Sequence, residues 1–416
     1  MAIAEDVLVV GGGLAGRIAA LTAADQGASV RILSRSESTL RSASGLIDVL
    51  GSLPGRADPI VEPYEAIETL PDSHPYRKVG EPTVREAMNR ADDWLPTYRG
   101  AHTTVNALIP TVAGTIKPTA RYPTGMADGL VSDDRSTLLV GFERLPDFDP
   151  SIAAARLERQ SVPFDVAATT LSAPGIEGND PSKLRVATAL DRSSDTRHAL
   201  AERIKPALKE AERVGLPAVL GHTDHSAVRA DLERKLEVSV FELPGGPPSI
   251  PGMRLQSMLD RQLREAGVRI SEGIPAVAYD TDADRIAHVV GDHEGRSVQY
   301  QADQFVLATG GLVGRGLETD RTGATEPVFN CPVSVPEDRT EWYEDGPFGD
   351  HPFARFGVAI DGDCRPIGSD GTPRFRNLRA AGSVLEGYDF AAEKSGSGVS
   401  IATGYAAGHL AAAEVP

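Results

Sequence analysis

The stretch Asp6-Val7-Leu8-Val9-Val10-Gly11-Gly12-Gly13-Leu14-Ala15-Gly16 limits the fold more than any other part of this 416-residue chain. An apolar run with Val at three of four positions predicts a strand buried on both faces of a parallel sheet. Gly11, Gly13 and Gly16 then supply a G-x-G-x-x-G spacing. Gly11 permits a tight turn, Gly13 lets the backbone approach a phosphate with no Cβ in the way, and Gly16 lets the next helix pack close to the strand. That helix, predicted from Leu14 to about Gln26, points the free N–H groups of its first turn, Leu14 and Ala15 among them, at an anion.

A second predicted strand, Ser29 to Leu33, makes the opening a Rossmann-like α/β unit that binds a dinucleotide or a flavin. The acidic ribose ligand expected at the end of that strand is missing, and Ser34 and Arg35 stand there instead. FMN, which has no adenosine ribose, suits Ser34 and Arg35 better than FAD, which would have to be held another way. Two further strands end in small residues: Gln304 to Leu307 runs into Ala308-Thr309-Gly310-Gly311, and a strand near Ala380 runs into Gly382. A third mark is Ser395-Gly396-Ser397-Gly398-Val399, which opens an Ala-rich helix whose N–H groups can face the pyrimidine end of a flavin.

Between these marks the chain reads as a second α/β region. Residues 1–100 and 250–416 are expected to form a discontinuous flavin-binding domain, with residues 101–249 inserted as a substrate or partner domain. Small hydroxyl residues at 42–45, with Ser44 and Gly45 at their end, suit a close-packed flavin or phosphate, or alternatively a capped helix. Lys117 and Arg121, beside Thr115 and Thr119, are candidates for a substrate phosphate. A helix is predicted from about Asp195 to Val214. His222-Thr223-Asp224-His225 invites a metal reading, but three donors in four residues cannot all meet one ion from a regular element, so a solvated loop or helix N-cap is expected. None of the nine histidines is singled out as a catalytic base.

Composition narrows the class. A net charge of −17 with no basic stripe argues against a nucleic-acid partner. Only 7 of the 42 basic residues are Lys, a balance that resembles proteins of high-salt cytoplasm. Cys331 and Cys364 are too few for an iron–sulfur cluster, so electrons leaving this chain need another carrier. No apolar run reaches the ~20 residues that span a bilayer, and no leader is expected before the first strand.

The glycine turn at 9–16, the Ser42-Ala43-Ser44-Gly45 stretch, Phe241-Glu242-Leu243-Pro244 with Pro247-Pro248-Ser249-Ile250-Pro251-Gly252, and Gly387-Tyr388-Asp389 with its Gly-Ser-Gly turn carry a resemblance over essentially the whole chain. The sequence resembles the B subunit of anaerobic glycerol-3-phosphate dehydrogenase. That resemblance implies a two-domain flavoprotein that works in a three-subunit respiratory enzyme, oxidising sn-glycerol 3-phosphate to dihydroxyacetone phosphate and passing electrons to a quinone. It further implies FMN on this chain, an FAD-containing catalytic A subunit, and an iron–sulfur C subunit that attaches the pair to the cytoplasmic face of the membrane. Other readings stay open on the residues alone: a stand-alone FAD oxidoreductase of another hydroxy or amino substrate, a scaffold that has lost its ligand, and an NAD-dependent dehydrogenase, which Ser34 weakens.

Overall fold

The computed structural model describes residues 3–56, 58–173, 182–346 and 349–416. Strand β1 (Ile3–Val10) leads through the glycine turn into helix α1 (Leu14–Asp25) and strand β2 (Val30–Ser34). Helix α2 (Glu81–Trp94) follows, burying Val84, Ala87, Met88, Ala91 and Trp94 along one stripe. Next come β3 (Ala107–Pro110), β4 (Ile116–Thr119), β5 (Thr137–Phe142), α3 (Pro150–Arg159), β6 (Val166–Leu171), α4 (Lys183–Arg192) and α5 (Ser194–Leu208). Strand β7 (Arg213–Pro217), α6 (His225–Leu236), β8 (Ser239–Leu243) and α7 (Ile250–Glu265) follow. The chain ends with β9 (Arg269–Glu272), β10 (Ala276–Asp282), β11 (Arg285–His293), β12 (Arg296–Leu307), β13 (Leu378–Ala380), the single-turn α8 (Phe390–Glu393) and α9 (Gly396–Ala413).

Two compact units result: one of Met1–Thr39, Asp48–Leu95 and Met258–Pro416, the other of Leu40–Ile47 and Pro96–Ser257. The first holds a seven-stranded sheet in the order β9-β2-β1-β12-β11-β10, with β13 also on β12. The half built around β1 is parallel: Val9 lies beside Ile32 on one side and Val306 on the other. Val7, Leu8 and Val9 are completely buried, which is why this strand is continuously apolar. The second unit holds a four-stranded parallel sheet, β8-β7-β5-β6. Both are α/β units, as the alternation of strands and helices predicts.

Three short pieces, 40–47, 96–100 and 250–257, fall in the inserted unit and not where the sequence put them. Backbone pairing explains this: Ile47 and Arg121 exchange N–H···O bonds of 2.9 Å, Tyr98 pairs with Pro123, and the Ser249 N–H donates to the Arg41 carbonyl. The helix expected over 195–214 is a second correction. It stops at Leu208, Lys209 has a left-handed φ of 45°, and Arg213 opens a strand. Arg213 is fully buried because its guanidinium donates to the carbonyls of Asp128, Leu130 and Asp133, and its Nε to the Thr137 hydroxyl at 2.7 Å. A charged residue whose three guanidinium nitrogens all find acceptors sits in a core that its residue type does not announce.

In the first unit α1 and α9 pack with almost no side chain between them. A Cβ on Gly404 would stand 2.6 Å from the Ala15 carbonyl oxygen, and one on Gly408 would collide with the Ala19 carbonyl. Gly408→Ala is therefore expected to lower unfolding stability by ~1–3 kcal/mol, read as a shift in the urea midpoint at unchanged slope.

Candidate functional site

The turn after β1 is built as the motif requires. Gly11 has φ +122°, and any Cβ there would collide with the Ala308 carbonyl at the end of β12; one on Gly16 would collide with the Gly11 carbonyl. The Gly11 N–H is spent on the Leu33 carbonyl at 2.8 Å, and Arg17 N is the first amide to donate back, to the Gly13 carbonyl. Gly13 is the N-cap and no side chain caps α1. The first-turn residues Leu14, Ala15 and Gly16 are buried, so this uncapped end is a cluster of donors shielded from water.

Gly13 differs from its neighbours. Its φ of −75° is open to any residue, and a Cβ there would meet nothing within 4 Å. Nothing in the protein itself requires glycine at 13; the space is what a group brought up to the helix end would fill. Around that space stand the ends of three strands. Ser34 closes β2, its Oγ 2.7 Å from where a Gly12 Cβ would be and donating to the Ser36 carbonyl at 2.8 Å. Arg35 beside it is exposed. The Thr309 hydroxyl after β12 is buried and has no hydrogen-bond partner among the described residues. Gly310 has φ +88°, and the Gly311 N–H donates to Ser383 Oγ. Gly382, with φ +79°, is so close to Ala15 that a Cβ would lie 2.6 Å from the alanine methyl, and its N–H donates to Thr403 Oγ1 in α9. Both ends of the chain thus meet at one place, and a flavin phosphate fits the donors and the room there.

Arg17 is a member that the motif did not reveal. It is 2% exposed, its Nε and Nη2 bonded to Asp260 at 3.0 and 2.8 Å, and Nη1 lies 3.5 Å from a Gly12 Cβ position. Asp260 offsets much of this charge, and Nη1 is the part of the guanidinium that lies beside the turn. An Arg inside an otherwise small and apolar helix was the available signal.

Gly396, Gly398 and Val399 begin α9. Gly398 is committed within the protein: its N–H donates to the Asp48 carbonyl at 2.8 Å, and a Cβ would lie 2.6 Å from that oxygen. Val399 is fully buried. Gly396 and the next residue, Ser397, have amide N–H groups with no partner among the described residues.

Ser44, Gly45, Lys117 and Arg121 belong to the inserted unit. Lys117 Nζ donates to Ser44 Oγ at 3.4 Å. Gly45 has φ +79° and packs on Pro251, its carbonyl accepting from Tyr98 Oη at 2.7 Å. Arg121 is buried, with Nη1 on the Ala120 carbonyl. The small residues at 42–45 serve packing here, because Gly252 closes on the Leu40 and Ala43 carbonyls. Asp224 is the N-cap of α6, accepting from the Ala227 N–H, while the N–H groups of 222–224 donate to Asp191.

The same unit contains a buried ion pair. Glu242, in β8, receives Arg254 Nη1 at 2.6 Å and Nη2 at 3.0 Å and the Leu220 N–H at 2.7 Å. Burial pushes this carboxyl up, but the Arg254 charge and His225 outweigh it and hold it below its usual range. His225 Nδ1 lies 2.7 Å from the Leu220 carbonyl and 3.8 Å from Glu242, and burial pushes its imidazole down.

A parallel sheet, a glycine turn on an uncapped helix and a carboxy-terminal helix returning to it define a nucleotide-binding flavoprotein, and residues 6–399 match the family described as an FAD binding domain. The chain is 52% identical, over 99% of both sequences, to a probable anaerobic glycerol-3-phosphate dehydrogenase B subunit of Halobacterium salinarum. It is 32% identical, over 95% of this chain and 96% of the relative, to the anaerobic glycerol-3-phosphate dehydrogenase B subunit of Pectobacterium carotovorum. It belongs to the family of anaerobic glycerol-3-phosphate dehydrogenase B subunits. Among solved structures, a 3-ketosteroid delta1-dehydrogenase from Sterolibacterium denitrificans aligns over 99% of both chains with a TM-score of 0.47 and 11% identity.

Two outcomes are expected in the inserted unit. Glu242→Gln leaves Arg254 buried without its counter-charge and should cost about 3 kcal/mol in urea unfolding. His225 is held neutral in the fold, so below its ordinary value of 6.5 the unfolded chain takes the proton first and stability falls. Glu242 acts lower, its contribution present above 4.5 and lost as pH falls through its depressed folded pKa. The urea midpoint should therefore drop between pH 7.5 and 5.5, with a shallower drop in His225→Gln.

Proposed function

We propose that this chain binds FAD and serves as the B subunit of a respiratory complex that oxidises sn-glycerol 3-phosphate to dihydroxyacetone phosphate and passes the electrons towards a quinone. The observation that carries the reading is Gly13, where no described neighbour excludes a side chain and an incoming phosphate would. When bound, a flavin supplies the two-electron acceptor that oxidation of a secondary alcohol needs. The chain's own part is to hold it: the Leu14, Ala15 and Gly16 amides and the Arg17 charge face the phosphates, Gly13 leaves them room, and the Thr309 hydroxyl offers an unused donor.

FAD is supported by the match of residues 6–399 to an FAD binding domain. FMN is the second reading, favoured by β2 ending in Ser34, whose hydroxyl is turned to Ser36 where a ribose carboxylate is expected. Lys117 and Arg121 are proposed to meet the substrate phosphate. Electrons would leave through an FAD-containing A subunit that does most of the chemistry and an iron–sulfur C subunit that anchors the assembly at the cytoplasmic face of the membrane. This fits two cysteines that are both buried, and the fact that among the described residues no helix is long and apolar enough to cross a membrane. The acid-rich, Lys-poor composition supports a high-salt cytoplasm.

Mass identification of the flavin released from purified protein separates FAD from FMN, and a colourless protein that takes up neither defeats the proposal. Gly13→Ala should unfold within about 1 kcal/mol of the wild type, since a Cβ there meets nothing, yet bind flavin at least about tenfold more weakly. If the chain alone oxidised glycerol 3-phosphate at the rate of the whole complex, the assignment of the chemistry to a partner would be wrong.

A further inference from the structure

The Gly387-Tyr388-Asp389 turn and the Glu393-Lys394-Ser395 link before α9 surround a buried polar cluster. His74 is completely buried and Glu393 is 4% exposed. The Tyr76 N–H donates to His74 Nδ1 at 3.0 Å, which places the ring proton on Nε2, and Nε2 meets Glu393 Oε2 at 3.1 Å. The same Oε2 receives the Ser395 hydroxyl at 2.8 Å, and Oε1 receives the Asp389 N–H at 3.1 Å. The Glu393 carbonyl accepts from the Gly51 and Ser52 N–H groups, both at 2.9 Å. Gly387, with φ +88°, allows the His74 loop to close on this turn, since a Cβ would lie 2.7 Å from the Ser73 carbonyl. Tyr388 stacks edge-on against His74 with 5.7 Å between ring centroids.

Ser395 is the N-cap residue of an 18-residue helix, and serine is among the best residues for closing a helix end on itself. Here it makes no such bond. Its hydroxyl is turned away and donated to Glu393, and the Gly396 and Ser397 amides are left with no partner among the described residues. The Gly398 amide is already bonded to Asp48. The first turns of α9 lie beside Gly382, where a Cβ would stand 3.7 Å from Ser400 Oγ, and Gly382 is against Ala15 at the start of α1.

We propose that His74 and Glu393 are positioning residues that hold the Ser395 hydroxyl off its own helix, so that the Ser397 amide stays available to an oxygen of the bound flavin. The inference rests on the flavin reading above. His74 orients the carboxylate, and the carboxylate captures the hydroxyl. Once freed, the hydroxyl would cap Ser397 and compete with the ligand for that donor.

Flavin affinity is measured by fluorescence titration of the flavin-free full-length protein. Glu393→Ala should bind about fivefold more weakly, the size of one N-cap bond, and Ser395→Ala should stay within about twofold of wild type. The double variant E393A/S395A should recover to the level of Ser395→Ala, because no hydroxyl remains to compete. A double variant no better than Glu393→Ala would mean that Glu393 only supports the fold, and the proposal would be overturned; so would wild-type affinity in Glu393→Ala. If Glu393→Ala does not fold, Ser395→Asp, a cap that cannot donate to Glu393, replaces it and should weaken binding similarly, with wild-type affinity again overturning the idea. Should the wild type bind no flavin, the flavin reading fails by itself. Exchange of the Ser397 amide in the flavin-free protein then decides the remainder: it should slow in Glu393→Ala and return in the double variant, and an unchanged rate defeats the latch.

Discussion

The close approach of α1 and α9 is the constraint on which the first unit depends. Two helices from opposite ends of the chain touch backbone to backbone at Gly404 and Gly408, and that contact brings Gly382 against Ala15 and the first turns of α9 beside Gly382. Bulkier residues at these positions would hold the helices apart and open the place where the glycine turn, the end of β12 and the start of α9 now converge. Dispersion contacts between small residues are individually weak, but a crossing this close makes many of them and leaves little room for adjustment.

The inserted unit is held differently. Its core around β5, β7 and β8 includes Arg213 with its donors spent on backbone carbonyls, and Glu242 locked to Arg254. Phe241-Glu242-Leu243-Pro244, one of the stretches by which the family can be told, thus has a structural meaning. Phe241 lies against Gly129 and Gly215, where no side chain would fit, and the buried Glu242 carboxylate neutralises the largely covered Arg254. Both parts of the molecule therefore combine apolar sheets with a few polar groups whose partners are completely specified.

What the sequence made legible was local. The strand, turn and helix at 3–25 declare themselves because Gly11, Gly12 and Gly16 each have a nearby steric reason, and the later strand ends at 307 and 380 also run into glycines. Val166, Thr169 and Thr170, β-branched residues among the six of β6, are a local signal of the same kind. The helix expected over 195–214 is present from Ser194 to Leu208 and was carried too far because a buried Arg213 looks in sequence like a solvent-facing helical residue. The role of 40–47 was obscured because Ile47 pairs with Arg121, more than 70 positions away. Arg17, His74 and Glu393 were invisible for the same reason: their partners are Asp260 and one another, and no spacing rule links residues so distant. At the site, the glycines could be named in advance, but only the structure separates Gly13, which leaves space, from Gly398, which fills it.

The meeting of the two chain ends also orders events during biogenesis. The segment that completes the parallel half of the first sheet lies beyond residue 377, so a nascent chain carrying β1 and α1 has no α9 to pack against until residues 396–413 have been made. Until then the face of α1 that Gly404 and Gly408 come to cover, around the Ala15 and Ala19 carbonyls, stays open to other contacts.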